Sequence, residues 1–351
     1  IAGGLDSATF APYSFAMGFN AQTLAGAAGS ASIGTSTSAG GAGSFALGDQ
    51  ASTGGVNSVS MGLQTTATAP YSFALGTGTT TLGQSSLAFG TGSNTTAGAT
   101  NAVAMGLNAE ADGAQSFSLG TGTLSTGTES FALGFNTVAG GIRSFALGEG
   151  TSTDDAASHS IAAGQFSSTF AQSSLALGSS ATTLAGADGS ASIGFGTTAG
   201  GKTSLAVGSQ SSTLGAQSVA MGFNSSADGD FSLAMGSSSL TTSTGVGAVA
   251  MGDFATANGA QAFSLGANTN SNGAQSLALG SQTTTVGDQS VALGFKTTTS
   301  GDFSFAMGSS SSTTSTGVGA VAMGDTAVAN GAQSFSLGAN TNSNGAQSFA
   351  M

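Results

Sequence analysis

The sequence predicts an all-β fold, a parallel β-solenoid in which each turn of the chain forms one short coil. Three observations predict it. A pentad of the form Ser-apolar-Ala/Ser-apolar-Gly recurs along all 351 residues, its glycine returns every 14 or 16 residues, and both spacings are even. Because side chains alternate between the two faces of a strand, an even spacing keeps each position on the same face in every coil.

The pentad predicts the first strand of each coil, with positions counted from the preceding pentad glycine. In the 18 units of 14 residues, position +11 is always Phe, Leu or Val, and position +13 is always apolar. Water would not wet such a ladder of large apolar side chains, so we expect this face to be buried. The predicted core residues are Phe45, Leu47, Phe73, Leu75, Phe131, Leu133, Phe145, Leu147, Phe305 and Met307.

The opposite face of the same strand carries only small residues. Position +10 is Ser in every 14-residue unit except one, which has Ala262, and position +12 is always Ala or Ser. A strand facing solvent has no reason to exclude larger polar side chains in every coil. We therefore expect another turn of the chain, or a neighbouring chain, to approach this face closely, so that the strand is buried on both sides. The predicted close-contact residues are Ser44, Ala46, Ser144, Ala146, Ser218 and Ala220.

The rest of each coil predicts a short second strand and a turn. Positions +3 and +5 favour Thr, Ser and Ala, and position +7 is Gly in 15 of the 18 units. A glycine there indicates a reversal with positive φ or a crowded backbone. The two prolines, Pro12 and Pro70, fall at this corner and outside the pentad, as ladder hydrogen bonding requires. Predicted turn residues are Gly55, Gly113, Gly141 and Gly229.

The uniform period predicts one solenoid over residues 1–351 rather than two globular domains. At about 4.8 Å per coil, about 24 coils would form a rod on the order of 115 Å long. Because both ends of the sequence fall inside a repeat, we expect it to be an excerpt of a longer fibre. The segment 245–276 recurs almost unchanged at 317–348, which indicates duplication.

Composition excludes several classes of function. The chain has 3 basic and 15 acidic residues, a formal charge of −12 and no Cys. The basic residues, Arg143, Lys202 and Lys296, are too few to form a patch for nucleic acid or anionic lipid. No apolar run approaches the length of a membrane-spanning segment, so we expect no membrane insertion by this chain.

Catalytic, cofactor and metal sites are not predicted. The only His, His159, lies near Glu149, Asp154 and Asp155, and a polar loop explains this group better than a metal site does. Catalysis needs convergent groups in a pocket, which scattered carboxylates and one His do not supply. Threonine runs such as 79–81, 283–285 and 297–299 are compatible with an ice-binding array, but they do not recur in every coil.

The pentads Ser44–Gly48, Ser144–Gly148 and Ser218–Gly222, with their 14-residue period and mid-unit glycine, resemble the YadA-like head repeats of trimeric autotransporter adhesins. The resemblance covers essentially the whole chain. It implies a left-handed parallel β-roll, a parallel homotrimer, passage through an outer membrane and adhesion at the cell surface. Within these residues we find no neck, heptad stalk or anchor-strand pattern, and position +11 is often Phe where the family usually has an aliphatic residue.

Two functions remain open at this point. The first is a non-enzymatic extracellular adhesin head that attaches to matrix protein, cells or an abiotic surface. The second is a purely structural extracellular filament or a viral fibre shaft, and an ice-binding solenoid is a minor alternative. In each case we expect self-association, because a coil of about 14 residues is too thin to enclose 22 Phe side chains.

Overall fold

A computed structural model describes all residues, 1–351, and contains only strands, turns and bends. The chain comprises two compact units, residues 1–173 and 174–351. In both units the chain alternates between a long strand, which contains the pentad, and a short strand of two residues. Each unit is therefore a parallel β-solenoid, as the sequence predicts. One continuous solenoid over 1–351 stays a prediction.

In the first unit the long strands lie at Ala2–Gly3, Phe15–Met17, Ala31–Thr35, Phe45–Asp49, Val59–Leu63, Phe73–Thr77, Leu87–Thr91, Val103–Leu107, Phe117–Thr121, Phe131–Phe135, Phe145–Glu149 and Ile161–Gln165. The short strands lie at Ala8–Thr9, Gln22–Thr23, Ser38–Ala39, Ser52–Thr53, Thr66–Ala67, Thr80–Thr81, Asn94–Thr95, Glu110–Ala111, Leu124–Ser125, Val138–Ala139, Ser152–Thr153 and Ser168–Thr169.

In the second unit the long strands lie at Leu175–Ser179, Ala191–Phe195, Leu205–Ser209, Val219–Phe223, Leu233–Ser237, Val249–Met251, Phe263–Ala267, Leu277–Ser281, Val291–Phe295, Phe305–Ser309, Val321–Asp325, Phe335–Leu337 and Phe349–Ala350. The short strands lie at Thr182–Thr183, Thr198–Ala199, Ser212–Thr213, Ser226–Ala227, Leu240–Thr241, Thr256–Ala257, Asn270–Ser271, Thr284–Thr285, Thr298–Thr299, Ser312–Thr313, Val328–Ala329 and Asn342–Ser343.

Each strand within a unit pairs in parallel with the equivalent strand of the next coil. Phe131 pairs with Phe145, and the pentad glycines Gly134 and Gly148 pair with each other in the same register. The register also holds across a 16-residue coil, where Phe145 pairs with Ile161. The two extra residues therefore lie outside the strands, which preserves the alternation of faces.

The interior of each coil contains only small side chains. Every buried apolar residue is Ala, and every buried polar residue is Ser or Thr. Ala46 of a long strand packs against Ala39 and Ala51 near the short strands, and all three are fully buried. The core of one chain is thus a single thin layer between its two sheets.

Hydrogen bonds inside the coil account for Ser at position +10 in many coils, whereas the buried hydroxyls of Ser116, Ser130 and Ser334 have no partner. Ser144 Oγ accepts a hydrogen bond from Thr153 Oγ1 at 2.8 Å. Ser218 Oγ instead donates to the carbonyl of Gly215 at 2.6 Å. Where these partners are present they offset the cost of burying the hydroxyl, and Ser is the smallest residue that can both donate and accept at this place.

The pentad glycines are required by the backbone. Gly134 has φ of 139°, and a Cβ at this position would lie inside the van der Waals radius of the Gly148 carbonyl oxygen in the next coil. The same arrangement recurs at nearly every pentad glycine. Any other residue would be strained both by its own conformation and by the adjacent coil.

Two corners per coil are held in the left-handed conformation, mostly by residues other than glycine. Asn136, with φ of 51°, and Gln115, with φ of 57°, represent the two corners. Their backbone N–H groups donate to the carbonyls of Thr121 and Thr100 in the preceding coil, at 2.8 and 2.7 Å. Stacking of coils therefore holds a conformation that would cost roughly 1–2 kcal/mol per residue in isolation.

We expect Ala146→Leu to destabilise the fold, because Ala146 is fully buried against Ala132 and Ala139. Overpacking of this kind costs typically about 1–3 kcal/mol. The matched control is Ala267→Leu at an exposed position after the pentad glycine, where other coils carry Leu63 and Leu107. Thermal unfolding followed by circular dichroism should show a lower Tm for Ala146→Leu and an unchanged Tm for Ala267→Leu. Equal Tm values would contradict a core closed to large side chains.

Gly134→Ala should destabilise the chain by more than about 1 kcal/mol, because it places a Cβ against the carbonyl of Gly148 at a positive φ. Gly98 serves as the control, since a Cβ there meets nothing within 4 Å. Gly98→Ala should be neutral or stabilising by about 0.4–1 kcal/mol. Denaturant titration measures both variants, and a Gly134→Ala midpoint at or above the native value would refute the argument.

Candidate functional site: an exposed apolar face

The large apolar side chains of the pentad lie outside the coil, which corrects the predicted core. Leu133, Leu147 and Met307 are 37%, 38% and 37% exposed. The other predicted core residues are half-buried and point outward as well: Phe45, Leu47, Phe73, Leu75, Phe131, Phe145 and Phe305. The physical reason is space, since an interior one layer thick accepts Ala but no Phe.

The predicted close-contact residues lie inside the coil. Ser44, Ala46, Ser144, Ala146, Ser218 and Ala220 are all at most 2% exposed. The close approach comes from the short strand of the same chain, as the hydrogen bond between Thr53 and Ser44 at 2.9 Å shows. One chain therefore buries one face of its long strands and leaves the other face open.

The open face, which we call the outer apolar face, consists of positions +11 and +13 of the long strands and their equivalents in 16-residue coils. No charged residue occupies either position in any coil. Stacking is closest in the first unit, where the Phe131 and Phe145 rings are nearly parallel with centroids 5.0 Å apart. The ring of Phe117 lies 6.0 Å from that of Phe131. Exposed apolar surface of this continuity marks a site of association.

The corners that border this face are mostly polar, with Phe or Tyr in some coils, such as Phe231 and Tyr71. Side chains of equal type stack from coil to coil: Gln275 Nε2 donates to Gln261 Oε1, and Gln289 Nε2 donates to Gln275 Oε1, both at 3.0 Å. An open groove in the second unit lies where this glutamine ladder meets the outer apolar face, between Gln261, Gln275, Phe263, Leu265 and Leu277. Its lining contains no charged group.

The predicted turn glycines act through crowding rather than through positive φ. Gly55, Gly113, Gly141 and Gly229 are buried and have no left-handed φ. A Cβ on any of them would overlap a backbone carbonyl of the next coil, for instance that of Ala69 next to Gly55. They allow close stacking at the corner that leads into the pentad.

The residues around His159 do not converge. Asp154 accepts a hydrogen bond from the backbone N–H of Ala156 at 3.0 Å, and Glu149 accepts one from Gln165 at 3.0 Å. No group of three or more His, Cys, Asp or Glu residues is placed to hold a metal ion. The carboxylates thus have separate local partners.

The threonine runs do not form a two-column array. Thr283, Thr285, Thr297 and Thr299 are fully buried, so each run directs only its middle residue outward. Thr284 pairs with Thr298 in adjacent coils, and the next outward residue is Ser312. The outer side of the short strands is therefore a mixed surface, polar in most coils and apolar in others, as where Leu124 pairs with Val138.

One ion pair occupies a corner of the first unit. Arg143 Nε donates to Glu129 Oε2 at 2.7 Å, and both side chains are exposed. This hydrogen bond, followed by the charge of Arg143, lowers the pKa of Glu129, and the same contacts raise the pKa of Arg143. In the second unit, Lys296 Nζ lies 5.0 Å from the centroid of the Phe295 ring. The chain has no helix that could cross a bilayer.

Comparison with known proteins identifies the repeat. A family model described as "YadA head domain repeat (2 copies)" matches residues 54–79, 97–123, 125–151, 214–239, 243–269, 257–283, 271–297, 286–311 and 315–341, more than half of the chain. No curated protein matches the chain. Among solved structures, the chain is similar to the collagen-binding domain of the Yersinia adhesin YadA, with 22% identity, a TM-score of 0.21, and coverage of 62% of this chain and 69% of that one.

Arg143→Gln should raise the pKa of Glu129 toward its ordinary value, because it removes the strongest hydrogen bond to the carboxylate. Gln is native at this corner in other coils, such as Gln115 and Gln261, so the fold should be kept. Carboxyl ¹³C NMR titration measures the shift. Since a lowered folded-state pKa stabilises the fold above the unfolded pKa, the contribution of the pair should vanish as pH falls through the folded value. An unchanged Glu129 pKa in the variant would contradict the assignment.

Proposed function

Because the chain belongs to the YadA head repeat family, we propose that it is part of the head of a cell-surface adhesin and works as a parallel homotrimer. The observation that carries the proposal is the outer apolar face. It continues through the long strands of each unit, carries no charge, and is left open by a chain whose interior accepts only Ala, Ser and Thr.

Association of identical chains explains this face better than a monomer does. A partner that covers it must present apolar groups at the same coil spacing along the whole length of the face. A second copy in parallel orientation has this spacing, and a cyclic arrangement lets each copy use the same surface. Burial of the +11 and +13 side chains would then supply the large apolar core that a single coil lacks.

The remaining exterior is suited to many weak contacts. The corners and the outer side of the short strands carry mainly Ser, Thr, Asn and Gln, with few charges and with separate exposed apolar side chains such as Phe166 and Phe231. We propose that attachment to matrix protein, cells or an abiotic surface is distributed over many coils, so that strength comes from multivalency. The separate local partners of the acidic residues support a non-enzymatic role, and the family supports an extracellular location at the outer membrane.

Phe131→Glu should abolish association, because it brings one carboxylate from each chain to the same buried level of the assembly. The control is Ser152→Glu on the outer side of a short strand, where Glu110 is native in another coil. Light scattering after size-exclusion chromatography should give three chain masses for the native protein and for Ser152→Glu, and a lower mass for Phe131→Glu. A monomeric native chain would refute the trimer.

Particles coated with the chain should lose adhesion gradually as whole coils are removed. Deletion of residues 149–164, the coil with His159, should cost no more than deletion of the equally long coil 91–106. Adhesion to collagen, cells and plastic is measured at low and high salt, and it should change little because few charges take part. Abrupt loss with 149–164 alone would reveal a discrete site, and no adhesion to any surface would favour a structural filament.

A further inference from the structure

The strands of this repeat give associated copies no means to recognise their axial register. Within each unit the coils share the alternation of strands and the pairing register, and the 16-residue coils differ only by two extra residues at the corner before the pentad. If one copy slid along another by one coil, each backbone group of the long strands would still meet an equivalent group. On the outer apolar face, register is therefore specified by side chains that differ between coils.

On the outer apolar face of the first unit, the side chains differ in bulk from coil to coil without a fixed period. The largest block consists of Phe117, Phe131 and Phe145 in three successive coils, with ring centroids 6.0 Å apart in the first, tilted pair and 5.0 Å apart in the second, stacked pair. We call these three residues the Phe block. Smaller β-branched residues border it, with Val103 paired to Phe117 and Ile161 paired to Phe145. In the second unit the equivalent position falls to Ala191 between Leu175 and Leu205.

We infer that the Phe block sets the axial register of the associated chains. The inference rests on the proposed self-association and adds how the copies align. In register, three copies of each Phe meet at one level and the smaller residues meet at the flanking levels. A slip by one coil would place Phe145 of one chain against the level of Ile161 in the next, and Phe117 against Phe131.

The mismatch of such a slip is steric. At one end of the block a Phe ring would enter a level packed for a β-branched side chain, and at the other end a level packed for Phe would be left partly empty. Tightly packed interiors resist both overpacking and voids. Differences in side-chain size between other adjacent coils add to this mismatch, but the Phe block is the longest continuous change in bulk on this face in the first unit.

Register can be read with single cysteines, since the native chain has none. Met61 and Leu75 lie on the outer apolar face in adjacent coils and pair with each other within one chain. In assemblies made only of Met61→Cys chains, a disulfide between copies reports that the two cysteines lie at the same level. Mixed assemblies of Met61→Cys chains with Leu75→Cys chains form a cross-level disulfide when the copies are displaced by one coil. A disulfide requires Cα atoms within about 7 Å, so a shift of one coil, about 4.8 Å, changes its yield.

The test replaces the Phe block by Leu, which is native at this position in other coils, in the triple variant Phe117→Leu, Phe131→Leu, Phe145→Leu. We expect the ratio of cross-level to same-level disulfide to be low in the native chain. In the triple variant it should rise by about fivefold or more, the lower end of what packing mismatches of this kind are worth. The matched control, Phe10→Leu, Phe166→Leu, Phe170→Leu, changes three exposed Phe away from this face and should leave the ratio unchanged.

Mass measurements on the same samples distinguish a failure of the proposed self-association from a failure of the proposed role of the Phe block. A monomeric native chain refutes the self-association itself. If the triple variant keeps its three-chain mass and the ratio is unchanged, the role of the Phe block is overturned while the trimer stands. The role of the Phe block is also overturned if the cross-level disulfide predominates in the native chain. If the triple variant dissociates, Phe131→Leu alone is compared with the native chain. Its ratio should rise, and an unchanged ratio again overturns the inference.

Discussion

The fold depends on one constraint, which is that the two strands of a coil lie too close together for any side chain larger than Thr between them. All other regularities follow from it. Small residues alternate with large ones in the pentad, because the small ones fill the interior and the large ones have only the exterior to occupy. The pentad glycine and the turn glycine then let successive coils stack with their backbones in contact.

Because of this constraint, the residues that hold one chain together are different from the large apolar residues available for association. Within the chain, the parallel ladders and the Ser and Thr hydroxyls hold the coils together, with Ala as the only buried apolar residue. Such an interior buries little apolar area per coil, so a single chain lacks the main source of stability of globular domains. The large side chains that would supply it are present in almost every coil, and they point outward.

The sequence predicted the strands, the period and the register, because an even spacing admits no other arrangement of alternating faces. It was wrong about which face of the pentad forms the interior of a single chain. Phe45 and Leu47 were assigned to the interior by hydrophobicity, although a coil of about 14 residues leaves room only for Ala46. The short length of the coil already limits its interior, and hydrophobic pattern alone does not contain that limit.

The left-handed corners also escaped prediction, although the sequence holds a signal for them. Asn and Gln recur two residues after the pentad glycine and again before the next Ser, as at Gln50 and Asn57. Asn is tolerant of this conformation, while Gln is held there by hydrogen bonds to the preceding coil, as for Gln50 N–H to Thr35 O at 2.8 Å. At the glycines predicted for the turn, the backbone is crowded by the next coil and φ is not positive.

The central claim is that copies of the chain cover the outer apolar face, and the native methionines test it most directly. All nine Met occupy position +13 or its equivalent on this face, and Met17, Met105, Met221, Met251 and Met307 are among the exposed side chains of the single chain. Peroxide oxidation followed by peptide mass spectrometry measures their accessibility without any substitution. The account predicts slow oxidation of internal Met residues such as Met105 and Met221 in the native protein, with rapid oxidation after association is disrupted. Rapid oxidation of these residues in the native protein would contradict it.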